Sequence, residues 1–311
     1  MKGNMMRAAV CIEYGPPETV RIKEIARLKP KAGELLIQVM AASVDSGDTR
    51  VRAFRFPAIF KPFARMMMGW DRPKRPVLGT SLAGQVVALG EGVQGYRVGD
   101  KVMAMTGFGF GFGAHAQYIA LPATGCIAPM PEGASFEEAA SLPFGGTTAL
   151  HFLRKAGLSQ GQRLLIWGAS GAVGSLAVQI AAAQGAKVDA VSGAKNMDLV
   201  RTLGAQQVFD YAKDIARLPA QSYDIIFDAV GKADKAACKR ALKPGGWMVS
   251  VAGMESAKEL ASDLKQLKAL YEAGKLKPVI GQRFALDDIQ AAHRYVDSGH
   301  KLGSAILSPM Q

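Results

Sequence analysis

The sequence predicts an α/β protein of two domains, a largely β unit and a doubly wound parallel sheet. Three observations predict it. Residues 163–250 alternate short apolar runs with helical stretches, the order that builds parallel strands through right-handed crossovers. A glycine-rich turn opens one of those helices, in "LLIWGASGAVGSLAVQIAAAQGAKVDAVSG", residues 164–193. The chain's 311 residues also exceed what a single compact core commonly organises.

Composition bounds the class. A hydrophobic fraction of 49% against 21% charged residues is that of a globular chain, with no uninterrupted apolar run of membrane length. The start, "MKGNMMRAAVCIEYG", lacks the apolar stretch and cleavage site of a secretory signal, so a cytoplasmic location is expected. Cys11, Cys126 and Cys238 lie far apart, with no CxxC and no Cys/His pair at ligand spacing, so neither a disulfide framework nor a zinc site is expected. The net charge of +12 attracts anions: a phosphorylated cofactor, acidic lipid headgroups or nucleic acid. Lys and Arg are scattered, without the basic groove and interleaved aromatics of a single-strand binder, so no nucleic-acid partner is expected.

The elements follow in order. "RAAVCIEYG", "ELLIQVMAASV", "LAGQVVALGEGV" and "DKVMAMTGFGFG" are strand-like runs punctuated by turn residues. At "SFEEAASLPFGGTTALHFLRKAG" the texture turns helical, and Ser135 with Glu138 three residues on makes a capping box. "RLLIWG", "KVDAVS", "QVFDY", "YDIIFDAVG" and "GGWMVSVAG" are the strands of the parallel sheet. "AKELASDLKQLKALYEAGKL" is helical, and the tail reads as strand, helix and final strand rejoining the first domain. Residues 54–76, "FRFPAIFKPFARMMMGWDRPKRP", stand apart, because their prolines forbid one continuous helix. Two functional readings stay open for this segment: an apolar lid over a hydrophobic substrate, or a weak contact with an anionic membrane. A satellite cluster packed on the core is the structural alternative.

In Ala169-Ser170-Gly171-Ala172-Val173-Gly174 the AxGxxG spacing gains its meaning from context: an apolar strand before, a helix after and a second strand from Lys187. Gly171 lets backbone approach a pyrophosphate, Gly174 lets helix and strand pack closely, and the helix N-terminus offers free N–H groups to phosphate. A GxSxG nucleophile elbow fails because the fifth position is Ala172. At the end of the second strand an NAD site carries a carboxylate for the ribose hydroxyls; here Ser192 stands there, with Lys195 close behind. A hydroxyl and an ammonium suit a 2′-phosphate, which favours NADPH. Asp189 alternates with the strand in register with Val191 and reads as an ordinary strand position.

Together with "ELLIQVMAASVDSGDTRVR", "PVLGTSLAGQVVALGEGVQGYRVGDKVMAM", "GAHAQYIALP", "MPEGASFEEAASLPFGGTTALHFL", "YDIIFDAVG" and "GKLKPVI", in this order, the turn makes nearly the whole chain resemble the medium-chain dehydrogenase/reductase superfamily, in its zinc-independent quinone oxidoreductase-like branch. The resemblance implies a GroES-like, mostly β catalytic domain over residues 1–126, completed by 275–311. A Rossmann NADPH-binding domain over 127–274 and a cleft joining the two are implied with it. Zinc-dependent relatives carry Gly-His-Glu where this chain has Gly79-Thr80-Ser81, and the clustered cysteines of their structural lobe are absent, so no metal is expected.

By the same resemblance, Asp45 falls near the nicotinamide at a position commonly Asn, Asp48 matches an acidic residue shortly after it, and Thr148 matches a threonine of the nicotinamide pocket. Lys195 and Tyr211 match residues that help bind the 2′-phosphate, with Gly193 in place of a frequent Ser or Thr. Val230, Gly231, Ala252 and Gly253 match loops that line the cofactor. Arg50 and Arg52 read either as anion attractors or as exposed surface positions. The four histidines share no ligand-like spacing and read as structural or exposed. Relatives usually carry an additional strand-bearing segment after the position of Gly253, often the dimer edge; here the link is short, leaving monomer and homodimer both open.

The expected activity is NADPH-dependent hydride transfer to a small hydrophobic acceptor, a quinone or an α,β-unsaturated carbonyl, without a Lewis acid. A non-catalytic NADPH-binding sensor or storage protein is the alternative, with an alcohol dehydrogenase behind it.

Overall fold

The computed structural model describes residues 4–107, 111–252, 255 and 257–311. The chain divides into two units, one formed by residues up to Pro143 together with Ile280–Gln311, the other by Phe144–Val279.

The first unit opens with β1 (Met5–Cys11) and β2 (Val20–Ala26), paired antiparallel. Next come β3 (Glu34–Val44), α1 (Ser46–Arg52), α2 (Lys61–Met68), β4 (Ser81–Leu89), β5 (Lys101–Met105), β6 (Tyr118–Pro122) and β7 (Ile127–Pro129). The helix α3 (Phe136–Lys155) starts at the expected box: Ser135 Oγ accepts from Glu138 N at 3.2 Å and Ser135 N donates to Glu138 Oε2 at 3.0 Å.

The second unit is a five-stranded parallel sheet. Its strands are β8 (Arg163–Trp167), β9 (Lys187–Ser192), β10 (Gln207–Asp210), β11 (Tyr223–Asp228) and β12 (Leu242–Ser250), in spatial order β10-β9-β8-β11-β12. That order reverses between β9 and β11 around β8, which makes the C-terminal end of β8 the switch point of a doubly wound sheet. The connecting helices are α4 (Ala172–Ala183), α5 (Met197–Thr202) and α6 (Lys235–Ala241), and α7 (Ala261–Glu272) follows the last strand. Residues 172–181 of α4 are all buried, which is why this helix is apolar on every face apart from Ser175 and Gln179.

The tail then returns to the first unit as β13 (Ile280–Ala285), α8 (Ile289–Asp297) and β14 (Ser304–Ser308). β14 pairs antiparallel with β3, Ile306 opposite Ser43, completing a seven-stranded sheet in the order β13-β14-β3-β4-β5-β7 with β6 also on β3. Phe284, Leu286, Ile289, Ala292, Val296, Ala305 and Leu307 from this tail share one core with Ala9, Cys11, Val44, Val51 and Leu78. Each large aliphatic side chain buried there contributes roughly 1.5–3 kcal/mol. Cys11 is plain packing, and burial raises its thiol to about 11.

The division between the units falls inside α3, between Pro143 and Phe144, and not at the boundary of 126 and 127 that the resemblance implies. The first turns of α3 belong with the β unit: Ser81 Oγ donates to Ala140 O at 2.9 Å, Arg283 pairs with Glu137 at 2.6 Å, and Lys101 lies over the Phe136 ring. The boundary comes at Pro143, which removes an N–H from the helix interior. At the other end Lys277 stays with the second unit, because its backbone N–H and C=O both bond the Gln179 side chain, at 2.8 and 3.0 Å.

Two histidines lie inside the first unit. The rings of His115 and His293 meet edge to face, centroids 6.0 Å apart, both fully buried. His115 Nε2 lies 2.9 Å from Ser43 O, and since a carbonyl only accepts, that nitrogen carries the proton. His293 finds no hydrogen-bond partner for either ring nitrogen among the described residues. Burial depresses both imidazoles, His115 from 6.5 to about 4 and His293 well below its usual value, helped by His115 and Arg52. A depressed histidine stabilises the fold above its unfolded pKa of 6.5, and that stability is lost as pH falls through the folded pKa. His293→Leu is therefore expected to be neutral or stabilising above about pH 7 and to lose less stability than the parent as pH falls below 6.5. Thermal unfolding of variant and parent across that range checks it; parallel pH profiles would refute it.

Candidate active site

The glycine turn sits where β8 leaves the sheet. Gly168 has φ +73°, and a Cβ there would lie 2.2 Å from Val230 Cγ1, so both conformation and space demand glycine. Gly174 is required by packing alone: its Cβ would approach Gly168 O to 2.2 Å. Gly171 differs from both. Its φ is −81°, and a Cβ would make only an ordinary 3.4 Å contact with Gly168 O. Neither conformation nor packing inside the protein requires glycine at 171. Gly171 is also the N-cap of α4 and supplies no side-chain cap, which leaves first-turn N–H groups to a ligand or to water. Ala169, Ala172 and Val173 are buried and hold this turn in place.

The end of β9 builds the second half. Tyr211 N donates to Ser192 O at 3.1 Å just past the paired residues Asp210 and Ser192, which brings the Tyr211 ring beside Gly193. A Cβ at Gly193 would lie 3.2 Å from Tyr211 Cε1, a physical reason for glycine where Ser or Thr is frequent. Ser192 itself is buried, with its hydroxyl donating to Gly193 O at 3.3 Å. Lys195 is exposed on the 3-10 turn that follows. Asn196 Nδ2 donates to Ser170 Oγ at 3.2 Å, tying that turn to the glycine turn. Asn196 was legible only as the neighbour of Lys195, since nothing in its spacing announces the bond. Asp189 is fully engaged in the sheet, accepting from Arg163 at 2.8 Å, Tyr223 Oη at 3.0 Å and Gln207 N at 3.1 Å.

A third group comes from the ends of β11 and β12. The buried Asp228 carboxylate gathers the loop after it. Its Oδ1 accepts from the N–H groups of Val230, Gly231 and Lys232 at 3.2, 2.8 and 3.3 Å, and its Oδ2 accepts from Ala233 N at 3.3 Å and Ser250 Oγ at 3.0 Å. Ala252 lies beside Gly231, where a Cβ would come 2.9 Å from the Ala252 Cβ. Gly253 lies outside the described residues. Sequence reasoning singled out the loop and missed the aspartate that shapes it; the signal was a carboxylate at the end of an apolar strand just before Ala-Val-Gly.

The acidic pair belongs to the first unit. Asp45 is the N-cap of α1 and Asp48 its third residue, and together they form a capping box. Both oxygens of Asp48 are taken by backbone donors, Asp45 N at 2.8 Å and Gly79 N at 3.0 Å, and His115 Nε2 stands 3.9 Å away. Asp45 accepts from Ser43 Oγ, and Lys301 Nζ lies 3.7 Å from its other oxygen. Burial pushes both carboxyls up; the Lys301 charge opposes this most at Asp45, as the two backbone donors do at Asp48. With 1% and 0% exposure, neither side chain offers a surface to a substrate. Thr148 lies half-buried on the second unit's part of α3. Arg52 answers to neither sequence expectation: its guanidinium is fully buried and pairs with Asp297 at 2.5 Å, and Arg50 alone of the two is exposed.

Residues 79–81 present no imidazole or thiolate, and Ser81 Oγ is committed to Ala140 O. Among the described residues no group of three His, Cys, Asp or Glu side chains is arranged to hold a metal ion.

Residues 31–132 match the family described as "Alcohol dehydrogenase GroES-like domain", and residues 172–295 the family described as "Zinc-binding dehydrogenase". The chain is 31% identical to the 2-methylene-furan-3-one reductase of Solanum lycopersicum, over 98% of this chain and 79% of that protein. It is also 31% identical to an NADPH-dependent alkenal/one oxidoreductase, chloroplastic, of Arabidopsis thaliana, over 98% and 80%. Among solved structures, the quinone oxidoreductase from Coxiella burnetii superposes with a TM-score of 0.88 at 28% identity, covering 98% of this chain and 99% of that one. With identity running through both units, a glycine turn at the switch point of the sheet, and Gly-Thr-Ser in place of the zinc ligands, the chain belongs to the medium-chain dehydrogenase/reductase superfamily, in its zinc-independent quinone oxidoreductase-like branch.

Proposed function

We propose that the protein is an NADPH-dependent reductase that delivers hydride to a small hydrophobic acceptor, a quinone or an α,β-unsaturated carbonyl. The observation that carries the reading is the end of β9, where an exposed Lys195 and the Tyr211 ring flank Gly193 while Asp189, the nearby carboxylate, is locked to Arg163 and Tyr223. An ammonium and a phenol in place of a carboxylate suit a ribose 2′-phosphate.

The turn Ala169–Gly174 would take the pyrophosphate, at Gly171 and through the uncapped N–H groups of α4. Gly193, Lys195 and Tyr211 would take the phosphorylated ribose, with the buried Ser192 holding the strand end beneath them, and Val230, Gly231 and Ala252 would line the remainder. When bound, the nicotinamide supplies a hydride, and charge then develops on an acceptor oxygen. An acceptor already polarised by conjugation needs no metal there, which agrees with the residues at 79–81. Of the three side chains expected at the reacting end, Thr148 is the accessible one and is assigned contact with the nicotinamide. Asp45 and Asp48 are assigned as positioning residues that hold the turn from β3 into α1, and solvent supplies the proton.

Three outcomes test this. Purified protein incubated with NADPH and a panel of quinones and enones should consume the reduced cofactor, followed by its absorbance. Saturable cofactor binding with no consumption on any acceptor would leave a binding protein instead. Lys195→Ala is expected to raise KM for NADPH by about tenfold and leave that for NADH nearly unchanged; equal effects would refute the phosphate assignment. Asp228→Ala should raise KM for both cofactors alike, also by about tenfold, since losing an anionic acceptor of several N–H groups costs ~1.5 kcal/mol or more. Asp228→Asn, which keeps one acceptor oxygen, should recover part of that loss; a cofactor-selective effect would separate Asp228 from the loop it is held to shape.

A further inference from the structure

The segment between Phe54 and Pro76 is absorbed by neither the cofactor cradle nor the acid pair. Its inner side is anchored: Phe54 and Ala64 are buried, and Phe56 and Met68 pack against the core shared by β14 and α8. Its outer side is apolar and bare. Ile59, Phe63, Met66 and Trp70 are 82%, 58%, 58% and 65% exposed. Phe63 and Met66 lie three residues apart on one face of α2, Ile59 stands in the 3-10 turn before it and Trp70 just past its Gly69 C-cap, so four large apolar side chains are exposed along one short segment. Isolated exposed apolar side chains need no explanation, but four large ones gathered in one short segment mark an interaction surface.

Charge says what kind. The same 23 residues carry Arg55, Lys61, Arg65, Arg72, Lys74 and Arg75 against a single acid, Asp71, a local excess of +5 within a chain of +12. Among the described residues only Arg55 of these six pairs with a carboxylate, Asp297 at 3.0 Å. Lys74 and Arg75 bond backbone carbonyls of Met66 and Gly111, which fixes their positions and leaves their charges uncompensated.

We propose that this face docks on an anionic phospholipid bilayer, with α2 lying in the plane of the interface, the exposed apolar side chains from Ile59 to Trp70 among the acyl chains and the flanking cations at the level of the phosphates. An apolar segment bordered by Lys and Arg is the composition of an interfacial helix, and an indole at its end suits the headgroup region. A polybasic border adds electrostatic attraction to acidic lipid. A second copy of this chain docking through the same patch would set two +5 segments against each other. Nucleic acid would use the cations and leave the apolar side chains in water. A lid over a bound acceptor would turn its apolar side chains inward and would need no cationic border. No helix among the described residues is long and apolar enough to cross a membrane, so the contact is with one leaflet. The proposal stands apart from the catalytic reading.

Sedimentation of the purified full chain with vesicles tests it. Vesicles of phosphatidylcholine mixed with phosphatidylglycerol should bind at least about tenfold more tightly than phosphatidylcholine alone, and added salt should weaken the binding. The double substitution Phe63→Ser with Trp70→Ser leaves the charge untouched, and both side chains are exposed, so thermal unfolding should stay where it is while affinity for anionic vesicles falls at least about tenfold. Tryptophan emission should shift to the blue on adding anionic vesicles, and Trp70→Phe should abolish that shift. Absence of binding to anionic vesicles would overturn the proposal. So would full binding by the double variant, which would reduce the effect to unspecific charge. Concentration-dependent dimerisation abolished by the same double variant, without vesicle binding, would assign the segment to a second copy instead.

Discussion

The proposed cofactor cradle depends on the distance between a helix and the strand before it. At Gly174 the first turn of α4 comes so close to the carbonyl of Gly168 that a methyl group could not intervene, and Gly168 itself must adopt a left-handed conformation under Val230. These two contacts aim the axis of α4 at the end of β8, where the strand order reverses. With the helix so placed, Gly171 is its N-cap and no side chain caps its first turn. The other two parts of the cradle are fastened to this one. Asn196 bonds Ser170, bringing in the turn that carries Lys195, and Asp228 draws the loop containing Val230 against Gly168.

The first unit reaches rigidity by another route. At the end of β3 it buries Asp45, Asp48, Arg52, His115, His293 and most of Lys301, linked in space by the Asp48–His115, Asp45–Lys301 and His115–His293 contacts. Burying ionisable groups is costly unless each is bonded, and here the bonding is uneven. Asp48 is satisfied by two backbone donors, whereas Arg52 leaves two nitrogens, and His293 both of its own, without partners among the described residues. Such a centre stores sensitivity to pH. The histidines favour the neutral form and the carboxyls the protonated one, so their contributions to stability oppose each other as acid is added. The same Asp48 carboxylate accepts from Asp45 and Gly79 and so ties the start of α1 to the stretch at residue 79.

Much of this was legible in the sequence because it is local. The strand–turn–helix–strand of residues 163–192, the capping box at Ser135 and Glu138, and the strand, helix and strand of the tail all declare themselves through period, turn chemistry and spacing within about 30 residues. Asp189 could be set aside from alternation alone, and the structure supplies its partners, Arg163 and Tyr223. What escaped the sequence was decided by contacts between distant segments. Arg52 looked like a surface cation and is buried because Asp297, 245 positions later, meets it from α8. Asp228 and Asn196 matter through bonds to Ser250 and Ser170 that no periodicity encodes.

Sequence by itself therefore determined the class of fold, the strand–glycine turn–helix and the family, since each rests on near-neighbour stereochemistry or on motifs carried intact along the chain. Only the tertiary structure decided where the first unit ends within α3, which acids are buried and which accessible, and that residues 59–70 present bare apolar side chains. Those depend on burial, a property of a residue's surroundings in space, which the same side chain at the same spacing does not reveal until the rest of the chain has closed around it.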